Sequence, residues 1–104
     1  MAISKYHAVK TAVDGIVFAS QKEAARYKDL VTLYRGRQIS NLLLQVKYPL
    51  VVNGVKIGTY ISDFEYDDIG HHHVVEDVKG VATPVYRLKK KLMMAIYNID
   101  ITEV

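Results

Sequence analysis

The sequence lacks several features, and each absence excludes a class of protein. It has no cysteine among its 104 residues, so it can form neither disulfide bonds nor a zinc site built from thiolates. Apolar residues nowhere continue for the roughly 18 positions that a transmembrane helix requires, and the N-terminal stretch has no apolar run typical of a secretory signal. We also find no repeat and no low-complexity tract. The sequence therefore predicts one soluble domain, 1–104, that lies in the cytoplasm and has no membrane partner.

What the sequence does contain is a net charge of +3 that is unevenly distributed along the chain. Acidic residues concentrate in two segments, 63–68 and 76–77. Basic residues concentrate in one later segment, and the members of this basic cluster are Arg87, Lys89, Lys90 and Lys91. Such a separation favours a protein that binds an anion with one element and a cation with another.

Local signals predict two helices. Ser20 and Glu23 have the spacing of a capping box, and apolar residues follow at helical intervals, so we expect a helix over about 20–35. Thr83 and Pro84 have the order of an N-cap and a first helical residue, where the missing N–H of proline does no harm. A second helix should therefore begin there.

Three strands are predicted between the helices. Two apolar, β-branched runs, Leu42–Val52 and Val55–Tyr66, are joined by an Asn-Gly dipeptide, which is typical of type I′ hairpin turns. A turn around Gly70 then leads to a third strand over Val74–Val78.

The end of the chain completes the predicted order of elements. The second helix should end near Asn98, and the tail Ile99–Val104 alternates apolar and polar residues, as a last strand would. The order is helix, three-strand antiparallel meander, helix, strand. This order predicts an α/β fold.

The hairpin formed by the second and third strands carries the strongest functional signal. With its turn centred on Gly70, Asp63 lies directly opposite Asp77, where facing Cβ atoms are roughly 4.5–5.5 Å apart and like charges are destabilising. A divalent cation with oxygen ligands would remove this repulsion. Lys79 shares a strand face with Asp77, where it could orient or deprotonate a water molecule and stabilise charge on an attacked phosphate.

These features together resemble the PD-(D/E)xK nuclease superfamily, and in particular a group of small phage-encoded proteins within it. An acid on one strand is followed by Asp-x-Lys on the next, inside the order of elements given above. The matching stretches are Ser20-x-x-Glu23-Ala24, Tyr60-x-x-Asp63-Phe64, Val75-Glu76-Asp77-Val78-Lys79-Gly80 and Thr83-x-x-Tyr86-x-Leu88-Lys89. One departure is that Ser62, and not proline, precedes Asp63.

The resemblance implies a restriction-endonuclease-like core, in which a mixed sheet is flanked by helices. Asp63 and Asp77 would ligate Mg²⁺ (with Mn²⁺ able to substitute), Glu23 would be a third ligand, and Lys79 would assist the attacking water. The substrate would be DNA in the cytoplasm of a phage-infected bacterium. Because so small a chain has few residues for reading bases in a groove, we expect a structure-selective endonuclease, such as a homodimeric resolvase of four-way (Holliday) junctions.

Several candidate residues have a second interpretation. Asp63, Asp77 and Lys79 could form an ordinary exposed charged face of a hairpin. Glu23 is also explained by its place in the capping box. Glu76 competes with Asp77 as the acid of the motif, although strand alternation and the spacing to Lys79 favour Asp77.

The surface residues and the function as a whole also allow more than one interpretation. Three consecutive histidines, His71–His73, are better explained by loop solvation or a phosphate contact than by metal binding. The basic cluster is either a solvated helix face or a contact for phosphates, and Tyr86 should lie near the substrate. The alternative function is a non-catalytic nucleic-acid-binding module, or a partner subunit, with a nuclease-like fold; a third hypothesis is a nuclease acting on RNA.

Overall fold

The structure is a computed structural model that describes residues 9–104. These residues form two helices and eight short strands. The helices are α1 (Gln21–Arg35) and α2 (Pro84–Tyr97). The strands are β1 (Thr11–Val13), β2 (Ile16–Phe18), β3 (Ile39–Leu44), β4 (Lys47–Val52), β5 (Val55–Ile61), β6 (Phe64–Asp68), β7 (His73–Asp77) and β8 (Thr102–Glu103). Neither helix in this part of the chain is long and apolar enough to cross a membrane.

Both helices begin at the predicted caps. The Ser20 hydroxyl accepts a hydrogen bond from the backbone N–H of Glu23 at 3.1 Å, and the Thr83 hydroxyl accepts one from the backbone N–H of Tyr86 at 3.1 Å. α2 ends at Asn98, whose φ of 55° is the left-handed conformation typical of a residue that terminates a helix. The predicted helix boundaries are therefore confirmed to within a residue.

The central sheet has four strands in the order β3-β6-β7-β8. β3, β6 and β7 pair antiparallel, whereas β8 pairs parallel to β7, so the sheet is mixed. Phe64 and Val74 pack with α1 on one face of this sheet, and Val75 packs with α2 on the other. The predicted α/β class and the predicted alternation of the third strand are thus confirmed.

Two short hairpins, β1–β2 and β4–β5, form separate two-stranded sheets. In the β4–β5 hairpin, Asn53 has a φ of 50° and Gly54 a φ of 76°. Positive φ at both central residues is what a type I′ turn requires, so the hairpin predicted from the Asn-Gly dipeptide is confirmed.

The predicted boundaries of the first two strands are wrong. The run Leu42–Val52 covers two strands, β3 and β4, because Gln45 adopts a φ of 53° and turns the chain out of the central sheet. The run Val55–Tyr66 likewise covers β5 and β6. Ser62 lies at this second bend and joins it to the first, since its hydroxyl accepts a hydrogen bond from the N–H of Val46 at 3.2 Å. β-branched composition favours extended backbone throughout such runs and does not show where a strand leaves its sheet.

The last strand is shorter than predicted. Only Thr102–Glu103 pairs with β7, whereas Ile99 and Ile101 pack into the core against α2. The apolar alternation of this tail therefore reflects burial under a helix as much as strand pairing.

Candidate functional site

One cleft, at the end of the β6–β7 hairpin, contains all four residues that the sequence analysis placed in an active site. It has a volume of about 600 Å³, and its lining includes Glu23, Asp63, Asp77 and Lys79. Three of these residues come from the hairpin and its continuation. Glu23 comes from the first turn of α1, which the tertiary fold brings to the same end of the sheet.

The register of the hairpin explains why the two aspartates meet. Phe64 pairs with Glu76 and Asp67 with His73, which is the register predicted from a turn at Gly70. The ladder continues one step further, because the N–H of Asp63 donates to the carbonyl of Glu76 at 3.1 Å. The predicted register is confirmed, and it places Asp63 beside Asp77 where the pairing ends.

The Asp77 carboxylate is buried and is held at both oxygens. Its Oδ2 accepts a hydrogen bond of 2.7 Å from the Tyr60 hydroxyl. Its Oδ1 lies 2.8 Å from Lys79 Nζ in an ion pair. Two charge-assisted contacts of this kind fix the orientation of the carboxylate.

Asp63 is held at one oxygen, which accepts a hydrogen bond of 2.7 Å from the N–H of Val78. The pKa of Asp63 is raised to about 7, mainly by burial and also by the neighbouring carboxylates of Glu23 and Asp77, against the opposing hydrogen bond from Val78 and the charge of Lys79. Crowded carboxylates raise one another's pKa because two negative charges repel in a poorly solvated place. The cleft is therefore a site where negative charge is in excess.

Glu23 does more than cap a helix. Its backbone N–H makes the capping hydrogen bond with Ser20, and its side chain lines the cleft. Burial raises the pKa of Glu23, and the charge of Asp77 raises it as well, while a backbone hydrogen bond at Ala19 opposes them. Capping by Ser20 and a position facing the aspartates are thus compatible.

Lys79 is oriented by three neighbours. Besides the ion pair with Asp77, its Nζ lies 3.6 Å from the centroid of the Tyr86 ring, in a cation–π contact. Its carbonyl accepts a hydrogen bond of 2.5 Å from Lys22 Nζ, so that a second ammonium group lies at the rim of the cleft. Tyr86 is itself buried under Lys79, and its hydroxyl donates to Glu103 at 2.6 Å.

A metal ion would suit the donor set of this cleft, because carboxylate oxygens are the ligands that Mg²⁺ prefers. Within residues 9–104, however, no three acidic or histidine side chains form a ready-made cluster for an ion. Both oxygens of Asp77 are already engaged, one by Tyr60 and the other by Lys79. Entry of a cation would therefore require Lys79 Nζ to move away from Asp77 Oδ1.

The remaining acid of the motif, Glu76, lies on the opposite face of the sheet. It is fully buried, and Arg26 binds it through two contacts, Nε to Oε1 at 2.9 Å and Nη2 to Oε2 at 2.6 Å. The Tyr66 hydroxyl also donates to it. Since Glu76 faces α1 and not the cleft, the structure favours Asp77 over Glu76 as the acid of the site.

The three histidines lie away from the cleft, in and beside the β6–β7 turn. His73 is hydrogen-bonded to Asp67 at 2.9 Å and to the buried Glu65 at 2.8 Å. His72 Nδ1 lies 3.4 Å from Asp68 Oδ1. These contacts with neighbouring carboxylates account for two of the three histidines.

The basic cluster does not form one continuous face of α2. Arg87, Lys90 and Lys91 line a groove of about 530 Å³ together with Met94 and two acids, Asp100 and Glu103; we call it the Arg87 groove. Lys89 lines a separate groove of about 290 Å³ on the other side of the helix, which we call the Lys89 groove.

Sequence reasoning missed two residues of this site, Tyr60 and Lys22. The Tyr60-x-x-Asp63 spacing belongs to the motif, yet it gives no sign that the Tyr60 hydroxyl reaches Asp77, because β5 is not a neighbour of β7 in the sheet. Lys22 directly precedes Glu23 in the sequence, and this adjacency is the only sequence signal that could have placed Lys22 at the cleft.

The fold and the cleft define an α/β protein in which three carboxylates and a lysine line one cleft at the open end of a β-hairpin. The chain belongs to a family described as proteins of unknown function (DUF1064), and the match covers residues 3–102. Searches of curated proteins and of solved structures found no chain that matches.

Proposed function

We propose that the protein is a metal-dependent DNA endonuclease that hydrolyses phosphodiester bonds. The observation that supports this function best is the meeting of Glu23, Asp63, Asp77 and Lys79 in one cleft. Burying several carboxylates beside one another is unfavourable unless a cation compensates them. A lysine next to an acidic oxygen cluster is an arrangement suited to phosphoryl chemistry.

The proposed reaction is the hydrolysis of one P–O bond of a phosphodiester. A water molecule attacks phosphorus, the P–O bond to one deoxyribose oxygen breaks, and that oxygen takes up a proton. Mg²⁺, held by Asp63 and Asp77 with Glu23 as a further ligand, would supply Lewis-acid polarisation of the phosphate and a lower pKa for the attacking water. Mn²⁺ would substitute.

The protein's own groups would position the reactants. The Lys79 ammonium lies over the Tyr86 ring. Once a cation displaces it from Asp77 Oδ1, it can donate a hydrogen bond to the attacking water or to a non-bridging phosphate oxygen. Tyr60 would keep one oxygen of Asp77 in a fixed direction. Lys22, at the rim, adds positive charge where a phosphate would approach.

The arrangement of elements supports a restriction-endonuclease-like core. In chain order, α1 is followed by the antiparallel strands β3, β6 and β7, then by α2 and the parallel strand β8. The β4–β5 hairpin is inserted between β3 and β6. On this proposal the hairpin is an addition to the core, and it also supplies Tyr60.

The substrate is proposed to be branched DNA, such as a four-way junction. The chain carries few elements beyond the core that could enter a groove and read bases, so DNA shape is a more suitable target than sequence. Symmetric cutting of a junction requires two active sites, and we therefore propose a homodimer. A phage-encoded enzyme acting in the bacterial cytoplasm would fit this role.

The test is cleavage of an end-labelled four-way junction, a linear duplex and single-stranded DNA with Mg²⁺ or Mn²⁺, comparing the natural protein with Asp77→Asn. Asp29→Asn, an exposed acid on α1, is the matched control. Metal-dependent cutting that Asp77→Asn abolishes and Asp29→Asn retains would support the nuclease. Equal cutting of all three substrates would refute the preference for branched DNA.

A second candidate is a nucleic-acid-binding module without catalysis. The engagement of both Asp77 oxygens by Tyr60 and Lys79 favours it, because a cation must displace Lys79 to bind there. Such a module would bind DNA equally with and without Mg²⁺ and would be unaffected by Asp77→Asn. Absence of cutting combined with intact binding would select it.

A further inference from the structure

We propose that the N-terminal half of α2 is a wedge that separates two strands of a branched DNA, with Val85 and Leu88 at its edge. This inference rests on the proposed function, since it names how the same site would recognise its substrate. Three features support it: the exposure of the helix, the division of its cations and the position of its two grooves beside the cleft.

The edge of the wedge is an apolar pair that is more than half exposed. Val85 is 63 % exposed and Leu88 is 55 % exposed, whereas Tyr86 and Met93 of the same helix are buried. Residues three positions apart are neighbours on a helix surface, so the two side chains form one ridge. Exposed apolar pairs of this kind are suited to insertion between bases at a point where stacking is already interrupted.

Cations lie on both sides of this ridge. Arg87 and Lys91 line the Arg87 groove, and Lys89 lines the Lys89 groove on the other flank. Lysine and arginine side chains neutralise DNA phosphates and thereby release counterions. Two flanks with separate cations can hold two separate backbones, which one continuous basic face would not do.

Both grooves begin at the catalytic cleft. Ile61 lines the cleft and also the Lys89 groove. On the other flank, Gly80 and Val81 line the cleft, and the next residue, Ala82, lines the Arg87 groove. Tyr86, in the first turn of α2, lines both grooves, so strands that follow them would diverge on the two sides of this turn, beside the cleft.

The charge pattern favours a nucleic acid over an apolar protein surface as the partner. The ridge has Arg87 and Lys91 on one side, next to the ion pair of Lys90 with Glu103, and Lys89 on the other side. These three cations complement bases that are flanked by two phosphate backbones. Insertion of the ridge into a linear duplex requires the unstacking of a base step, whereas stacking is already interrupted at a branch point. The wedge would thus provide the preference for branched DNA that the proposed function requires.

The first experiment measures equilibrium binding of the full chain to a four-way junction and to a linear duplex in EDTA, by fluorescence anisotropy. The double variant Val85→Ala/Leu88→Ala should lower the ratio of junction to duplex affinity by about tenfold. Ile69→Ala, which shortens a 72 % exposed side chain in the β6–β7 turn, is the control and should leave the ratio unchanged. An unchanged ratio in the double variant, or an equal loss in the control, overturns the wedge.

The second experiment separates the two flanks through the salt dependence of binding. Arg87→Gln and Lys89→Gln should each reduce the slope of log K against log salt on the junction by about 0.9, as expected for one phosphate contact. On single-stranded DNA the reductions of the two variants should together amount to about 0.7, because one strand occupies one groove at a time. Lys28→Gln, an exposed lysine of α1, is the control. A full reduction by each variant on the single strand contradicts the two-strand path.

Failure of this inference and failure of the proposed function give different results. The binding ratio is measured without metal, so a junction preference that depends on Val85 and Leu88 would persist even in a protein that never cuts. Conversely, Mg²⁺-dependent cleavage with no effect of the double variant on binding would keep the nuclease and remove the wedge.

Discussion

The ion pair between Arg26 and Glu76 offers the sharpest test of the forces that hold this fold together. Glu76 is 0 % exposed in the central sheet, and Arg26 reaches it from α1 through contacts of 2.9 and 2.6 Å. Replacing Arg26 with methionine keeps an apolar stem of similar length and removes both contacts. The carboxylate then remains buried with only the Tyr66 hydroxyl as a donor.

The expected loss of stability follows from the burial of the group left behind. Removing one partner of a buried pair costs about 3–5 kcal/mol. The Arg26 side chain is 27 % exposed, so water can enter beside the shortened residue, and we place the loss for Arg26→Met at about 2–4 kcal/mol. This is a large fraction of the roughly 5–15 kcal/mol that stabilises a typical domain.

Urea denaturation measures this loss directly, and two companion variants keep it interpretable. Lys90→Met removes the half-exposed pair with Glu103 at 3.4 Å and should cost no more than about 1 kcal/mol. Arg26→Met/Glu76→Gln removes the buried charge as well and should be more stable than Arg26→Met alone. An Arg26→Met protein that loses no more than Lys90→Met would refute the argument from burial.

Two further predictions concern Tyr60 and His73. Tyr60→Phe removes the hydrogen-bond donor to Asp77 Oδ2. If the proposed function holds, this variant should raise the Mg²⁺ concentration for half-maximal cleavage by about 10–100-fold. An unchanged Mg²⁺ titration would show that Tyr60 does not position Asp77. The Asp67 and Glu65 carboxylates raise the pKa of His73, so the stability that His73 contributes should be complete below its unfolded pKa of about 6.5 and lost as pH rises through the higher folded value. The difference in urea midpoint between the natural protein and His73→Gln should therefore be larger at pH 6 than at pH 9, and a difference independent of pH would contradict this assignment.

The features that could be predicted from the sequence all depend on interactions between residues that are close together in the chain. Ser20, Thr83 and Asn98 cap helices through contacts within a few residues. The Asn53-Gly54 turn depends on the φ values of two adjacent residues. The approach of Asp63 to Asp77 follows from one turn and the alternation of side chains along a strand.

Contacts between distant segments could not be derived in the same way. Tyr60 reaches Asp77, and Arg26 reaches Glu76, only because β5 and α1 pack across the sheet. Gln45 and Ser62 look like ordinary members of extended runs, yet the chain bends at both. The position of such a bend depends on which sheet each half of the run joins. The residues within the run do not indicate this, so the bend could not be predicted from them.

By itself, the sequence determined where the two helices begin and end, the hairpin turn, and the register that places Asp63 beside Asp77. All of these features arise from interactions over short stretches of the chain. Tertiary structure alone decided that the first turn of α1 lies at the cleft, that Arg26 is the partner of Glu76, and that the basic cluster divides into two flanks of α2. These outcomes depend on how α1 and α2 lie against opposite faces of one sheet, and that packing is a property of the whole folded chain.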